Sequence, residues 1–438
     1  MATASTATPS RGLTVLRGAV LPLLAVTALI GLPVLFYRFT NGLKVTHLGS
    51  VVPWGLWVAC YIYFIGLSAG SFLLSTLIFV FDNRRLEPVG RLAVLQALVC
   101  LVTGMVFIFI DLGHWDRFWH VFVYPQWDSV LAWEIWFYNI YIIVLVAELW
   151  LLMRCDLSRW ASEAGGWLGR FYRVLSLGFR FPPTEAEERA SLVQTRRWLR
   201  FFGIVGIPVA LAVHGGTGAI FAVVKAHPAW YSPIFPVVFI VSALASGGGL
   251  LLFLRALVTV DPAKDRKLLQ ALARLTVTFL ALDLLLLFLE FLTGFYGGIP
   301  DHVEPYRLIA FGPFWWVFWI LQLLVGAVVP LLLIFVRRQS AAPARLGLAG
   351  MCVVAGIFGV RLNIVIPALA LPAFRGYDQA IDSARLSSLY VPNWVEWLSS
   401  LGIIAAVALL FYLALRCLPM NEHQLYTQPT AKVPHAPA

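Results

Sequence analysis

Charge is scarce in this chain. Only 12% of its 438 residues are Asp, Glu, Lys or Arg, while 60% are hydrophobic. A soluble domain carries about twice that charged fraction, so a water-soluble fold is excluded. Cysteine is sparse too. Cys60, Cys100, Cys155, Cys352 and Cys417 are scattered, with no CxxC, no CxxCH and no iron–sulfur spacing. They read as small apolar core residues, not as ligands. Histidine is short where a cofactor would need it. Of eight, only His214 lies well inside an apolar run; His47, His114, His120, His227 and His302 belong to loops or rims, and His423 and His435 to the tail. Haem b between facing helices needs paired histidines at depth, so none is expected. His114 and His120 are six residues apart and do not share a helix face, and no four-ligand zinc set is present. The chain is therefore expected to hold no metal, no haem and no iron–sulfur cluster of its own.

What the chain has in abundance is uninterrupted apolar length. Runs of roughly 20 residues or more, enough to cross a hydrocarbon core, recur near 14–37, 51–81, 89–112, 130–154, 198–224, 233–258, 270–296, 311–336, 346–371 and 396–418. The mean hydropathy is +0.84. These runs predict an all-α integral membrane protein of about ten transmembrane helices with short loops. The net charge of +10 is not pooled into one patch, which argues against a nucleic-acid partner; it alternates from loop to loop. With the N-terminus inside, 24 of the 32 Lys and Arg fall on the inner side. They are Arg11 and Arg17, then Arg84, Arg85 and Arg91, the 154–200 segment, Arg255 to Arg274, Arg337, Arg338, Arg345, Arg416 and Lys432. The outer loops take Arg38, Lys44, Arg117, Lys225, Arg307, Arg375 and Arg385, and Arg361 lies within a span. This asymmetry predicts that both termini are cytoplasmic. The first run lacks a small-residue cleavage site after a short apolar core and reads as a retained span.

The terminal stretches "MATASTATPS" and "PTAKVPHAPA" read as disordered tails. The one long inner segment contains "LSRWASEAGGWLGRFYRVLSLGF", in which Trp160, Trp167, Phe171 and Val174 recur at helical spacing, with Arg159, Arg170 and Arg173 elsewhere. That pattern fits a helix lying on the cytoplasmic membrane surface, with a partner-docking helix as the alternative. A repeat is also visible. "FIGLSAGSFLLSTLIF" in span two and "IVSALASGGGLLLFLRAL" in span six are both small-residue stretches followed by a basic inner loop. Spans three and seven then end in acidic and aromatic residues, and spans five and nine each carry one ionisable group, His214 and Arg361. Four helices per unit preserve orientation, so the repeat is parallel. The expectation is two four-helix bundles side by side, with spans one and ten flanking them.

Ionisable residues inside a bilayer are costly and mark function by default. Span directions place Asp111, His114 and Asp116 at the outer end of span three. Asp128 and Glu134 fall near the outer start of span four, with Glu148 near its inner end. His214, Glu290, Arg361, Asn363 and Glu396 also belong to the outer half, and Asp283 to mid-depth. A quinone head group suits such a cluster. Each carbonyl oxygen needs a donor or an acid within an otherwise apolar, aromatic pocket, and two-electron reduction takes up two protons. Asp111, His114, Glu134, Tyr138 and His214 are the candidates for binding it. Glu148, Asp283, Glu290, Arg361 and Glu396 are candidates for a proton path. Structural alternatives stand beside each. Asp111 and His114 would cap a helix end, Glu134 would pair with a loop arginine, Asp283 would bond a neighbouring helix, and Arg361 would pair with Glu396.

At these residues the chain resembles the NrfD-like family, related to the membrane subunit of polysulfide reductase. The stretches that carry the resemblance are "HLGSVVPWGLWVACYIYFIGLSAGSFLL", "DLGHWDRFWHVFVYP", "LAWEIW", "HGGTGAIFAVV" and "RLNIVIP", which together span nearly the whole chain. The ten-span layout looks most like the larger members, as in alternative complex III and menaquinone reductase complexes. The resemblance implies a bacterial or archaeal cytoplasmic membrane and a substrate quinone, menaquinone or ubiquinone, near the outer face. It also implies electron exchange with a ferredoxin-type iron–sulfur subunit, usually beside a molybdopterin-type catalytic subunit. Arg117, Trp119 and His120 then look like the surface on which the electron-carrying partner docks.

The organisation expected is a tail and first span over 1–50, and a quinone-binding bundle with the long cytoplasmic loop over 51–230. A second bundle follows over 231–372, then an outer loop, the last span and a tail over 373–438. Two other readings remain open. A secondary transporter fits the parallel repeat and Asp283, but the polar groups crowd one leaflet and no matching pair of broken helices is evident. A pure anchor without a quinone site is the other.

Overall fold

A computed structural model describes residues 16–182, 184–259, 261–336, 342–371 and 386–420. The expectations for the two tails, and for Arg11, Arg337, Arg338, Arg375, Arg385 and Lys432, lie outside them. The described chain is helical, without strands, and ten helical stretches are long and apolar enough to cross a membrane. It is a multi-pass integral membrane protein.

The spanning helices are α1 (Leu21–Asn41), α2 (Leu56–Phe79), α3 (Gly90–Asp111), α4 (Val130–Glu163), α6 (Glu185–Ala222), α7 (Phe235–Val258) and α8 (Pro262–Gly297). They continue with a π-helical segment Val317–Val328 that runs into α10 (Val329–Phe335), then α11 (Pro343–Leu369) and α12 (Trp394–Cys417). Two shorter helices lie between them, α5 (Gly166–Leu175) and α9 (Pro300–Phe311). A helix thus forms within the expected segment but is shorter than its sequence pattern. Trp160 belongs to the last turn of α4, which ends at Glu163, and α5 begins only after Ala164 and Gly165. No sequence signal separated α9 from span eight, since its apolar residues run on into that span. Pro305 sits inside α9, and Gly312 follows it.

α2, α3, α4 and α6 pack in a ring; α7, α8, α11 and the π segment form the second group. The two groups meet where α2 crosses α7, with α6 against α7 and α11 against α2 on either side. The small residues of the repeat make that crossing. A Cβ on Gly70 would stand 1.8 Å from the Ala243 carbonyl oxygen, and one on Gly247 would stand 2.5 Å from the Ser71 nitrogen. Backbones touch there, as close helix packing in a bilayer requires. α1 and α12 pack chiefly on one another, through an equally close meeting of Gly31 and Gly402. The second group is not a copy of the first: α9 packs against α8, α11 and the π segment. α6 and α11 continue through Pro208 and Pro367.

Candidate functional site

Asp111 and Glu396 lie toward one end of the molecule; the opposite end carries the Arg91–Asp156 and Arg255–Asp265 pairs. Four groups can be told apart, and they do not coincide with the single cluster expected from span direction.

The first is a closed ring of hydrogen bonds between α2, α4 and α6. Glu134 and Tyr138 are four residues apart on α4 and face the same way. Glu134 is 1% exposed. Tyr61 of α2 donates its hydroxyl to Glu134 Oε2 at 2.9 Å and stands 2.5 Å from the Tyr138 hydroxyl. Tyr138 lies 3.4 Å from Thr217 Oγ1 on α6, and Thr217 donates to Glu134 Oε1. No loop arginine pairs with Glu134 among the described residues. Four contacts close the ring while three hydroxyls supply protons. The Thr217 hydroxyl also has the Val213 carbonyl within reach at 2.9 Å. When Thr217 donates into the ring, ionised Glu134 leaves one contact without a hydrogen, and protonated Glu134 fills all four. The ring can therefore take up or release one proton without leaving a buried polar group stranded.

The second group begins three residues before Thr217, on the adjoining part of α6. His214 is buried, and its Nε2 lies 3.4 Å from Arg361 Nη2 of α11. Arg361 is fully buried, donates to Ser242 Oγ of α7, and holds its guanidinium 4.4 Å from the Phe239 ring centre. Facing a permanent donor, His214 Nε2 acts as acceptor. Gly66 of α2 leaves the room for this. A Cβ there would come within 3.1 Å of the imidazole Cε1. Asp283 of α8 is within electrostatic reach of Arg361.

The third group joins α1 and α12 to the start of α2 and the end of α3. Arg38 belongs to α1, not to a loop as its place after span one suggested, and it is fully buried. It donates to the Leu112 carbonyl at 2.6 Å, stands over Phe39 and Trp57, and faces Asp111 electrostatically. Glu396 accepts backbone N–H bonds from His47 and Asn393 at 3.1 Å each and a hydroxyl bond from Tyr390. It completes a capping box with Asn393. Glu396 is thus committed to a helix start, and the expected Arg361–Glu396 pair does not form. The Tyr390 hydroxyl, between Glu396 and the Leu56 N–H, has its pKa pushed well above the ordinary phenol value by burial and by the carboxylate.

The fourth group lines a cavity of about 60 Å³ in the second bundle. Asp283 and Glu290 reach it from α8, Tyr306 from α9, Gln322 from the π segment and Asn363 from α11. Tyr306 donates to Glu290 at 3.3 Å, and Asn363 donates to Gln322 at 2.8 Å.

Of the other expected residues, Glu148 is buried with neither carboxylate oxygen hydrogen-bonded. His114 is 75% exposed and lies 3.9 Å from Asp116. The structure thus brings Glu134 and Tyr138 together and sets His214 beside them. It turns Asp111 toward α1 and α12, and it leaves His114 on the surface. Arg117, Trp119 and His120 are exposed, on the short helical turns after α3. Tyr61, Thr217, Ser242, Phe239 and Arg38 were not anticipated. Thr217 carried a readable signal, since its spacing from His214 puts both on one face of α6; Tyr61, Ser242 and Phe239 are ordinary apolar-run residues until the helices pack, and Arg38 stood as a loop charge. Among the described residues no three His, Cys, Asp or Glu side chains group as a metal would require.

Ten helices around a buried carboxyl–tyrosine ring and a histidine–arginine pair define a polytopic membrane protein with an internal polar site. Comparison with known proteins specifies the class. The family described as "Polysulphide reductase, NrfD" matches residues 44–373, and the chain belongs to that family. It is 42% identical over 415 residues to a subunit of the selenate reductase of Mesobacillus selenatarsenatis, covering 94% of this chain and 97% of that one. A putative membrane subunit of the dimethyl sulfoxide reductase of Halobacterium salinarum is 30% identical, covering 92% and 91%. The integral membrane subunit of an Hdr-like menaquinol oxidoreductase of Archaeoglobus fulgidus is 27% identical, covering 91% of each.

Proposed function

We propose that the chain is the quinone-reactive membrane subunit of a respiratory oxidoreductase complex, with its head-group site at the Glu134 ring and His214. The observation that carries this reading is the ring itself. It is a buried carboxyl group, two phenols and a threonine closed on one another, next to a histidine that accepts from a fixed cation. A quinone/quinol couple exchanges two electrons and two protons. In the oxidising direction the quinol hydroxyls lose their protons to nearby acceptors, and the electrons leave for the iron–sulfur partner. Glu134 is placed to receive one proton by filling the ring's vacant contact, and the other leaves past Arg361 to Asp283. His214, held neutral in its role as acceptor from Arg361, orients and polarises the second oxygen. The similarity to reductase and menaquinol oxidoreductase subunits favours menaquinone as the substrate.

The remaining polar residues take supporting places in this reading. Asp283 and Glu290, with the cavity between them, lead from Arg361 toward the Asp111 end and form the proton exit. Glu148 lies on the same α4 face as Glu134, Tyr138 and Tyr141, nearer the Arg91 end, and would serve proton entry. A ferredoxin-type iron–sulfur subunit, with a molybdopterin-type catalytic subunit beyond it, would dock over Arg117, Trp119 and His120. The loop charges favour the cytoplasmic membrane with both termini inside.

Replacing Glu134 with Gln keeps the shape and removes the exchangeable proton. Quinol-linked turnover of the assembled complex should fall by about 100-fold or more, the scale of losing a positioned acid–base group. Turnover within a few-fold of wild type, with assembly intact, would place the site elsewhere.

A further inference from the structure

The segment between α4 and α6 takes part in none of these groups. α5 turns one side to the protein. Gly169 is packed so closely that a Cβ would lie 2.2 Å from the Ala164 carbonyl oxygen, and Tyr172 sits edge-on to Trp160 with ring centres 5.3 Å apart. The opposite side is bare. Trp167, Phe171 and Val174 follow i, i+4, i+7 spacing, and Leu177 continues past the helix end. Trp167 is 73% exposed, Val174 71% and Leu177 75%. A third strip of the same helix carries Arg170 and Arg173, both exposed, with exposed Arg180 shortly after. Glu163 is the only acid between Asp156 and Glu185 in the sequence.

The depth of α5 follows from its neighbours. α12 rises about 31 Å from Glu396 to Cys417, close to one hydrocarbon thickness. Tyr172 is within electrostatic reach of Cys417. Arg91 ties the same level together, binding Asp156 at 2.6 Å and donating to the Pro419 carbonyl. α5 therefore lies at the membrane–water boundary of the Arg91 end and does not project beyond it.

We propose that α5 is an in-plane helix that binds anionic phospholipid. Its Trp167–Phe171–Val174–Leu177 side sits in the acyl boundary, and Arg170 and Arg173 hold the headgroup phosphates. An apolar side of this size is costly in water and inexpensive at a bilayer interface. Two neighbouring guanidinium groups with no acid beside them in the sequence complement phosphate, to which each can bond in a bidentate manner. Phosphatidylglycerol is thus favoured over phosphatidylcholine by charge, while the apolar side treats both alike.

The test uses the full-length protein in its complex, extracted in mild detergent and offered equal amounts of the two lipids, with retained lipid counted by mass spectrometry. Wild type should retain phosphatidylglycerol in excess. R170Q/R173Q should lose about fivefold of that excess for each arginine removed, and R170K/R173K should keep most of it. Equal retention of both lipids by wild type overturns the proposal. So does an unchanged excess in a folded R170Q/R173Q protein, or a partner protein found covering residues 167–177 in the complex.

Discussion

Two histidines illustrate how far residue identity goes. His114 and His214 are both candidates in the sequence, the first at the rim of an apolar run beside acidic residues and the second inside one beside glycines. In the fold His214 is enclosed by Gly66, Phe239 and Arg361, whereas His114 is a surface residue. H214A should therefore abolish quinol turnover with the complex assembled. H114A should leave it within about twofold, as surface substitutions away from special contacts do. Steady-state turnover of the two purified variants decides this, and equal losses would contradict the placement. Glu134 was legible because a carboxyl group inside an apolar run is rarely accidental. Its partners were not. Tyr61 and Thr217 lie on other helices and announce nothing by themselves. Arg38 differs from expectation for a related reason: hydropathy alone ends span one at the first charge, but α1 continues past it because the guanidinium is held inside the protein, bonded to the Leu112 carbonyl with Asp111 within electrostatic reach.

At the level of elements, the small-residue stretches in spans two and six were the most informative feature. They predicted close helix approach, and the α2–α7 crossing is a backbone contact at Gly70 and Gly247. G70L would force the two bundles apart. It should lower the unfolding midpoint in detergent, by an amount equivalent to about 1–3 kcal/mol or more of overpacking, and reduce assembly. G18L is the control, because a Cβ there meets nothing within 4 Å. Equal stability of the two variants would show that the crossing is not close. α9 was invisible because a short helix between two spans shares their apolar composition. Its capture of Glu290 through Tyr306 is a consequence of packing. Burial and the neighbouring carboxylate push the Tyr306 phenol's pKa above its ordinary value, so it stays protonated and donates throughout the physiological range.

For the whole molecule, the ten spans and their alternating loop charges lead to an orientation that reporter fusions can check. Fusions at the 84–85 and 226–228 loops should report opposite sides, the first cytoplasmic. The partner surface is tested separately. R117E should weaken coupling to the electron-carrying subunit, with a loss that shrinks as salt rises, because an exposed charge acts through screened steering. Binding of a quinone analogue should be unchanged. Loss of analogue binding together with coupling would mean that Arg117 belongs to the quinone site.

The sequence by itself determined the solvent of this protein, the number of its spans and the short list of ionisable residues they contain. Transfer free energy depends on local composition, and composition is read along the chain. Which of those residues act together was decided only by tertiary structure. A hydrogen bond depends on ångström-scale approach between helices distant in sequence. The same approach closed the Glu134 ring, gave Arg361 to His214 instead of Glu396, and turned Asp111 toward Arg38.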